Sequence, residues 1–293
     1  MELSIIIVSF NTKDVTSRCL NSLVRDLKKY PLKYEIVVVD NASVDGSLEM
    51  LKEMEKNFSE IKVIKSNKNV GYGKANNLGV SESHGKYILY LNSDAIVKDI
   101  DFRDLIMVMK RDQTIGAMTV RVVLSTGDID PASHRGFPTI WRSFAYFSGL
   151  EKATKTIPFF NRMFGGYHLT HLDIREIHDI EVPTGAFLLV KRDIVDTIGG
   201  FDRDYFAYGE DVEMAFQINK LGYRIVYYPL WEVLHLKSVS GLKKKDDSIK
   251  KKTSFHFYDS MKIFYKKHYA EKHNFLINEL VYTAINLKQK ISA

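Results

Sequence analysis

LSIIIVSF, residues 3–10, is a short run rich in β-branched side chains, and it is too apolar on both faces for a strand that meets water. Residues 13–29 follow with apolar side chains at helical spacing, and residues 34–39 are again a run typical of a buried strand. The same alternation predicts a helix at 46–58, a strand at 61–64, a helix at 73–83 and a strand at 87–91. Strands that alternate with helices, without Asn-Gly hairpin turns, are typical of right-handed βαβ units and predict a parallel sheet.

The second part of the chain is less regular. Residues 137–167 contain nine aromatic residues, more than twice the number that the overall aromatic content of 12% would give. Residues 237–253 are polar and rich in lysine, which predicts a flexible loop, and residues 254–293 have the pattern of two amphipathic helices. The remaining predicted elements are helices at 101–111, 191–198 and 210–220, and strands at 115–124, 182–190 and 223–228.

The composition is that of an ordinary globular protein, with 45% hydrophobic and 27% charged residues in a chain of 293. The single cysteine, Cys19, excludes an intramolecular disulfide and a cysteine zinc cluster, so we expect a reducing, cytoplasmic setting. The first eight residues lack a basic leader and a cleavage site, and we expect them to form a strand and not a signal peptide. No apolar run approaches the ~18–20 residues that span a bilayer.

Positive charge is concentrated in one segment of the chain, whose formal net charge is +6. Residues 237–273 hold eleven lysines and four acidic residues, a local charge of +7, and the rest of the chain sums to −1. This distribution favours an anionic lipid surface or the diphosphate of a substrate over a nucleic acid. An aromatic stripe at residues 257–269 fits a helix that packs on its own domain, on a second copy of the chain or on anionic lipid.

Small polar or acidic residues follow each of the first four predicted strands. Ligands of open parallel sheets bind outside the carboxyl ends of the strands, so these residues are the first candidates for a site. Turn chemistry also favours Asn, Asp and Ser, but four such groups at one edge favour a functional interpretation. The candidates are Ser9 and Asn11 after the first strand, Asp40 after the second, Asn69 and Gly71 after the third, and Asn92, Ser93 and Asp94 after the fourth.

The stretch GYGKAN, residues 71–76, places two glycines before a predicted helix, as a dinucleotide-binding loop does. Asn76 stands where that motif needs its third glycine, and the stretch follows the third strand and not the first, so the motif fails. The phosphate-binding pattern Gly-x-x-x-x-Gly-Lys-Ser/Thr is also missing from the sequence. The two glycines therefore form a tight turn or let a ligand lie against the backbone.

Two further places carry candidate chemistry. Asp94 ends a buried strand with a carboxylate, which either holds Mg²⁺ or Mn²⁺ or serves a turn or helix cap. Glu210 and Asp211 open a predicted helix after Gly209, where the helix dipole alone favours acidic residues. The aromatic residues upstream would instead wall a pocket in which one carboxylate is a general base and the other binds substrate hydroxyls. His235 lies in an apolar run and, taken alone, fits a core histidine better than a ligand.

Several short motifs stand in a fixed order along residues 3–240. They are Val8-Ser9-Phe10-Asn11, Val39-Asp40-Asn41-Ala42-Ser43, Asn69-x-Gly71-x-Gly73, Asn92-Ser93-Asp94, Thr184-Gly185-Ala186, Gly200-Phe201-Asp202 and Gly209-Glu210-Asp211. Together they resemble the family 2 glycosyltransferases with the GT-A fold. Residues 9–12 and the segment 258–269 are similar to bacterial rhamnosyltransferases within that family.

The resemblance implies a fold and a division of the chain. The fold is α/β of the GT-A type, Rossmann-like, with a mostly parallel central sheet flanked by helices and a C-terminal helical extension. Residues 1–236 would form the glycosyltransferase domain, with a nucleotide-sugar-binding half at 1–100 and an acceptor-binding half at 101–236. The Gln-x-x-Arg-Trp motif of processive members is missing from the sequence, which favours transfer of a single sugar.

The resemblance also implies roles for single residues. Asp40 would bind the uracil or thymine ring, Gly71 would pack against the nucleoside, and Asp211 would be the general base. Asp94 would take the second acidic position of the family's metal motif, where the first position is Asn92 in this chain. His235 would be a further ligand of Mn²⁺ or Mg²⁺, and its nitrogen suits Mn²⁺ better. The other nucleotide-sugar-binding candidates are Ser9, Asn11, Asn69, Asn76, Asn92 and Ser93, and the acceptor-binding candidates are Thr184, Gly185 and Glu210.

The expected function is inverting, metal-dependent transfer of rhamnose from dTDP-rhamnose to a lipid-linked or cell-surface polysaccharide acceptor. A UDP-sugar donor is one alternative, and a nucleotidyltransferase, which would bind a nucleoside triphosphate and not need residues 210–211, is another. A nucleic-acid-binding module is disfavoured, because the sheet edge carries Asp40, Asp94 and Asp211. We expect a cytoplasmic protein. Two partners stay open for its C-terminal part: an anionic lipid surface at the inner face of the cell membrane, bound through residues 243–269, and a second copy of the chain in a homodimer.

Overall fold

A computed structural model describes residues 1–237 and 247–292. The strands are β1 (Leu3–Ser9), β2 (Tyr34–Asp40), β3 (Ile61–Lys65), β4 (Tyr87–Leu91), β5 (Ala95–Val97), β6 (Ile115–Leu124), β7 (His178–Ile180), β8 (Phe187–Lys191) and β9 (Arg224–His235). The helices are α1 (Lys13–Leu27), α2 (Ser47–Asn57), α3 (Tyr72–Ser81), α4 (Phe102–Arg111), α5 (Ile140–Phe147), α6 (Leu150–Thr154), α7 (Pro158–Phe164), α8 (Arg192–Ile198), α9 (Glu210–Lys220), α10 (Asp247–His268) and α11 (Phe275–Ser292).

One mixed sheet runs through the molecule in the order β3-β2-β1-β4-β8-β6-β9-β5, with β7 beside β9. The four strands of the first half are parallel to one another, as the alternating pattern predicts. β8 lies between β4 and β6 and is antiparallel to both, while β6 and β9 are parallel. The predicted α/β class is confirmed, and its second half adds the antiparallel neighbours.

Side chains of the central strands enter two apolar layers, one on each face of the sheet. Ile5 and Ile7 of β1 join a layer with Leu20 of α1, whereas Ile6 joins a layer with Ile218 of α9. Successive side chains of a strand point to opposite faces, so a strand buried on both faces must be apolar throughout. This is why the first run of the sequence predicts its strand so well.

Two strand boundaries differ from the sequence pattern. The predicted strand 182–190 begins only at Phe187, because residues 183–186 form a loop that reaches the candidate site. The predicted strand 223–228 continues to His235, because β9 stays paired with β6 up to Leu124. The pairing shifts register after Tyr228, so the residues around Pro229 form a bulge and the strand continues beyond the point where the sequence pattern predicts its end.

The C-terminal part corrects the expected loop and shows that the aromatic stripe packs on its own domain. α10 begins at Asp247, so residues 247–253 are helical and not a loop, while residues 238–246 lie outside the described residues. The aromatic stripe of α10 packs inward: Phe264 is buried in the layer that contains α9, and Nε2 of His268 lies 2.7 Å from a Glu213 carboxylate oxygen. Over residues 258–269 the stripe is therefore a packing surface of the chain and does not face lipid.

α11 packs along α10 and leaves part of its surface open. The Tyr265 hydroxyl donates to the Asn278 side chain, and the Tyr265 and Tyr282 rings meet edge to face. Apolar side chains on the outer side are exposed, namely Leu276, Leu280, Leu287 and Ile291. Neither α11 nor any other helix within residues 1–237 and 247–292 has the length and apolarity to cross a bilayer.

Candidate active site

The carboxyl end of the sheet gathers the polar residues that follow its strands. Asp40 is the last residue of β2, and Asn92 and Asp94 lie in the short turn between β4 and β5. β5 pairs with the end of β9, which places His235 opposite Ala95 and beside that turn. Residues far apart in the chain therefore meet at this edge.

His235 is held between two carboxylates. Its Nε2 lies 3.1 Å from Oδ1 of Asp94, and its Nδ1 lies 2.7 Å from Oδ2 of Asp130. Burial lowers the pKa of His235, but the hydrogen bonds to Asp130 and Asp94 raise it by more, so that the pKa is about 9. Asp130 is itself buried, and it accepts hydrogen bonds from the Lys237 ammonium (2.6 Å) and from the Ala132 amide (3.0 Å).

Asp94 and His235 have the geometry of two ligands of one cation. Two donor atoms at about 2.1 Å from an octahedral ion lie about 3 Å apart, close to the observed 3.1 Å. A carboxylate on the far ring nitrogen, as Asp130 provides, is typical of a metal-binding histidine. No group of three His, Cys, Asp or Glu side chains suited to a metal occurs among the described residues. Mn²⁺ and Mg²⁺ also accept diphosphate oxygens and water as ligands, so the two residues present fit either ion.

Asp40 presents a carboxylate oxygen that lacks a protein partner. The side chain is 1% exposed, and its Oδ2 accepts a hydrogen bond from the Ser43 amide at 3.2 Å. Its Oδ1 is buried and has no hydrogen-bond partner in the part of the chain that the structure describes. A buried acceptor without a donor is costly, so this oxygen is suited to receive an N–H from a ligand.

Several predicted ligand-binding side chains are occupied in holding the loops. The Ser9 hydroxyl is fully buried and bonds to Thr12 and Thr16, each at 3.2 Å. Asn69 Oδ1 accepts a hydrogen bond from the Gly71 amide, and Asn76 Nδ2 donates one to the Tyr72 carbonyl.

Two more candidates lie in the loops after β1 and β4. Asn11 adopts a φ of +53° and accepts a hydrogen bond from the Val44 amide. The Ser93 hydroxyl lies 3.5 Å from the Thr12 hydroxyl. Contact of these side chains with a nucleotide-sugar stays a prediction.

Gly71 is needed for a contact within the chain. Its φ is +87°, and a Cβ built there would lie 2.4 Å from the Phe206 carbonyl oxygen. The next residue, Tyr72, donates its amide hydrogen to the same carbonyl at 3.0 Å. The tight-turn interpretation therefore accounts for this glycine, and the packing of a nucleoside against it stays a prediction.

Tyr72 joins the candidate cation site to the loop before β8. Its hydroxyl lies 2.8 Å from Oδ1 of Asn92 and 3.2 Å from the carbonyl oxygen of Gly185, and it shares its hydrogen between them. The Asn92 amide nitrogen in turn lies 3.3 Å from His235 Nε2. The neighbouring Thr184 is buried, and its hydroxyl accepts from the Ala186 amide. This brings the predicted acceptor-binding loop next to the predicted metal ligands.

Asp211 forms an ion pair with Arg135 at the other side of the same loop. Nη2 of Arg135 lies 2.7 Å from Oδ2 of Asp211 and 3.1 Å from the Pro183 carbonyl oxygen. Both charged side chains are 14% exposed. α9 begins directly after Gly209, whose φ is +80°, and Glu210 and Asp211 lie in the first turn of this helix. The helix dipole and the ion pair both stabilise the Asp211 carboxylate.

Glu210 differs from its neighbour in environment. It is buried, and its Oε2 has no hydrogen-bond partner within the described ranges. Burial, and after it the negative charge of Asp211, raise the pKa of Glu210 to about 8. Glu210 is thus mostly protonated at neutral pH and able to donate a hydrogen bond.

Three residues of this arrangement were not among the sequence candidates. Tyr72 lies inside the glycine stretch 71–76, and the dinucleotide-binding motif compared with that stretch assigns a role to the glycines only. Asp130 stands before a proline, a turn signal that says nothing of a contact 105 residues away. Arg135 has no motif around it that predicts its position.

Comparison with known proteins gives the family of the chain. Residues 4–173 match the sequence profile "Glycosyl transferase family 2". The chain belongs to glycosyl transferase family 2. That family is one of glycosyltransferases.

Curated relatives and solved structures differ in how much of this chain they match. Rhamnosyltransferase WbbL of Escherichia coli K12 is 26% identical over 79% of this chain and 82% of its own length. An N-acetylglucosaminyl-diphospho-decaprenol L-rhamnosyltransferase of Mycobacterium tuberculosis is 26% identical over 70% of this chain and 67% of its own. A mannosyltransferase of Pyrobaculum calidifontis, solved with GDP-Man and Mn²⁺, superimposes with a TM-score of 0.60 at 16% identity, over 93% of this chain and 65% of that one. Three other curated relatives are much longer, and the chain spans 24%, 15% and 26% of their lengths.

Proposed function

We propose that this family 2 glycosyltransferase moves a single rhamnose from dTDP-rhamnose to a lipid-linked or cell-surface polysaccharide acceptor. One observation carries the proposal: residues 183–185 connect to His235 of the Asp94–His235 pair through Tyr72 and Asn92, and to Asp211 through Arg135. A donor diphosphate and an acceptor hydroxyl would thus be held on two sides of one loop. The names of two relatives support rhamnose as the sugar.

The donor would be bound at two points. The free Oδ1 of Asp40 would accept the ring N–H of thymine or uracil, and Asp94 and His235 would hold Mn²⁺ or Mg²⁺ at the diphosphate. The bound cation would neutralise the charge that develops on the departing diphosphate. The solved mannosyltransferase that contains Mn²⁺ supports a cation in this site.

Asp211 would act as the general base. The acceptor oxygen would form a bond to the anomeric carbon as the bond from that carbon to the diphosphate oxygen breaks, and the hydroxyl proton would pass to the Asp211 carboxylate. Glu210, mostly protonated at neutral pH, would donate a hydrogen bond to another hydroxyl of the acceptor. One displacement from the opposite face inverts the anomeric centre without a covalent intermediate.

A thermal-shift panel with Mn²⁺ and a set of dTDP- and UDP-sugars tests the donor. A ligand that binds only the folded chain raises its melting temperature in proportion to the logarithm of its concentration over Kd. The proposal predicts the largest shift with dTDP-rhamnose. A larger shift with a UDP-sugar would replace the donor, and a shift with nucleoside triphosphates alone, unchanged in Asp211→Asn, would favour a nucleotidyltransferase.

The organisation of the protein follows from the same proposal. Residues 1–100 would bind the nucleotide-sugar and residues 101–236 the acceptor. A lipid-linked acceptor would place the enzyme at the cytoplasmic face of the cell membrane. The homodimer stays a prediction, and a mass measurement by light scattering tests it.

A further inference from the structure

A chain of aromatic rings is exposed on α5 and α7. The centroid of Trp141 lies 5.9 Å from that of Phe144 and 5.4 Å from that of Phe164. Phe164 continues to Phe160 at 6.4 Å, and Phe160 to Phe159 at 5.4 Å. Exposed aliphatic side chains lie between these rings in sequence. We define the aromatic face as the exposed residues Ile140, Trp141, Phe144, Ile157, Phe159, Phe160 and Met163.

The aromatic face exposes apolar surface to water, and a hydrogen bond holds its two helices together. Phe159 is 74% exposed and Phe144 54%, whereas contiguous exposed apolar groups of this kind are unusual outside interaction sites. The Trp141 indole N–H donates to the Met163 carbonyl oxygen at 3.1 Å, which ties α5 to α7. The face is thus a formed surface whose apolar groups need a partner.

The exposed charged residues in the segment that carries the aromatic face, residues 131–172, are all positive. Lys152, Lys155 and Arg162 are exposed in the same segment. Glu151 is the single acidic residue in the sequence from 131 to 172, and it is buried against His168. The segment therefore exposes cations and apolar rings to a partner, whereas its one carboxylate is buried.

We propose that the aromatic face docks on an anionic lipid bilayer. Tryptophan and phenylalanine would enter the boundary between headgroups and acyl chains, and the three cations would lie at the lipid phosphates. A second copy of the chain would bring two positive faces together, which charge repulsion disfavours. A single-stranded nucleic acid would stack on rings, but the interleaved Ile140, Ile157 and Met163 offer no base a partner and fit hydrocarbon instead.

Docking by this face would bring the proposed acceptor side towards the lipid. The chain passes from Arg135, the partner of Asp211, directly into α5. Arg142 of α5 forms an ion pair with Glu181, two residues before Pro183 of the acceptor loop. The inference rests on the proposed lipid-linked acceptor for its purpose, but lipid binding itself needs neither donor nor transfer.

The two tryptophans allow a direct test on the full chain. Trp231→Phe leaves Trp141 as the one tryptophan of the sequence. We expect its emission to shift to shorter wavelength with vesicles of phosphatidylcholine and phosphatidylglycerol, and to be quenched when the lipids carry brominated acyl chains. An unchanged emission spectrum with these vesicles would overturn the proposal.

Variants of the face give a second, independent measurement. Phe144→Ser with Phe159→Ser should reduce co-sedimentation with the anionic vesicles about tenfold or more, since both rings leave the lipid. The matched control is Met107→Ser with Leu230→Ser, which removes two exposed apolar side chains outside the aromatic face and should bind as the unmodified chain does. Equal loss in both variants would contradict the proposal, as would a self-association or an oligonucleotide affinity that only the face variant loses.

A transfer assay separates this inference from the proposed function. With a water-soluble acceptor analogue, the face variant should keep the rate of the unmodified chain while it loses vesicle binding. Vesicle binding without any transfer activity would refute the proposed function and leave the docking surface intact.

Discussion

The ion pair between Arg135 and Asp211 gives a prediction with a calculable size. Arg135→Met would leave the Asp211 carboxylate, 14% exposed, without its cation and beside the buried Glu210. Removing one partner of a buried ion pair costs about 3–5 kcal/mol. Because the pair is not fully buried, we expect a loss of about 3 kcal/mol in the free energy of unfolding, at the lower end of that range.

A double-mutant cycle isolates the interaction between these two side chains. Urea unfolding of Arg135→Met, Asp211→Asn and the double variant should give a coupling of about 2 kcal/mol, because the second change removes the charge that the first exposes. In the transfer assay, Arg135→Met should lower kcat by about 10² or more, since it misplaces the base, and leave the donor KM near that of the unmodified chain. The matched control is Arg103→Met, whose partner Asp101 lies on the opposite end of the sheet from the site.

Two results would refute this reasoning. The first is that the losses of unfolding free energy in the two single variants sum to the loss in the double variant within about 0.5 kcal/mol, which would mean that the two side chains do not interact. Alternatively, Arg135→Met would fold less stably but turn over at the unmodified rate, which would remove Arg135 from the positioning of Asp211.

Three further predictions concern single residues. Asp40→Ala should weaken donor binding by about 10-fold or more with little change in kcat, because a hydrogen bond to a charged group contributes about 1.5–3 kcal/mol; isothermal titration with the donor measures it. Glu210 has a pKa near 8 in the folded chain against a reference of 4.5, so the folded state holds the proton longer and stability should fall as the pH rises from about 4.5 to 8. Urea unfolding across this pH range should show a smaller decline for Glu210→Gln, and equal declines would contradict the assignment. His268→Ala should cost about 1–3 kcal/mol in the free energy of unfolding, because it leaves the buried Glu213 carboxylate with fewer partners; a cost below 0.5 kcal/mol would mean that α10 does not depend on this contact.

The first half of the fold follows from local patterns. β1 and β4 are buried on both faces, so an unbroken apolar run marks each strand and its carboxyl end marks the candidate site. Asp40 and Asp94 are found in this way, because each is the first acidic group after such a run. The position of β8 between β4 and β6 could not be predicted, since pairing across some 70–100 residues leaves no periodic signal.

The contacts of the site depend on residues that no local pattern connects. His235 taken alone fits a core residue, and it is both buried and 3.1 Å from Asp94. The role of Asp130 appears only when β6 and β9 are paired, because that pairing brings the two residues together. At Gly71 the approach of Phe206 is enough to require a glycine, and contact with a nucleoside stays a prediction.

The most direct test of the account is a comparison of Asp211→Asn with the unmodified chain. Asparagine keeps the size of the side chain and its contact with Arg135 but cannot take the proton. Transfer should fall by about 10²–10⁴, while the thermal shift with the preferred nucleotide-sugar and Mn²⁺ should stay the same. Unaltered turnover would contradict Asp211 as the general base, and with it the proposed mechanism.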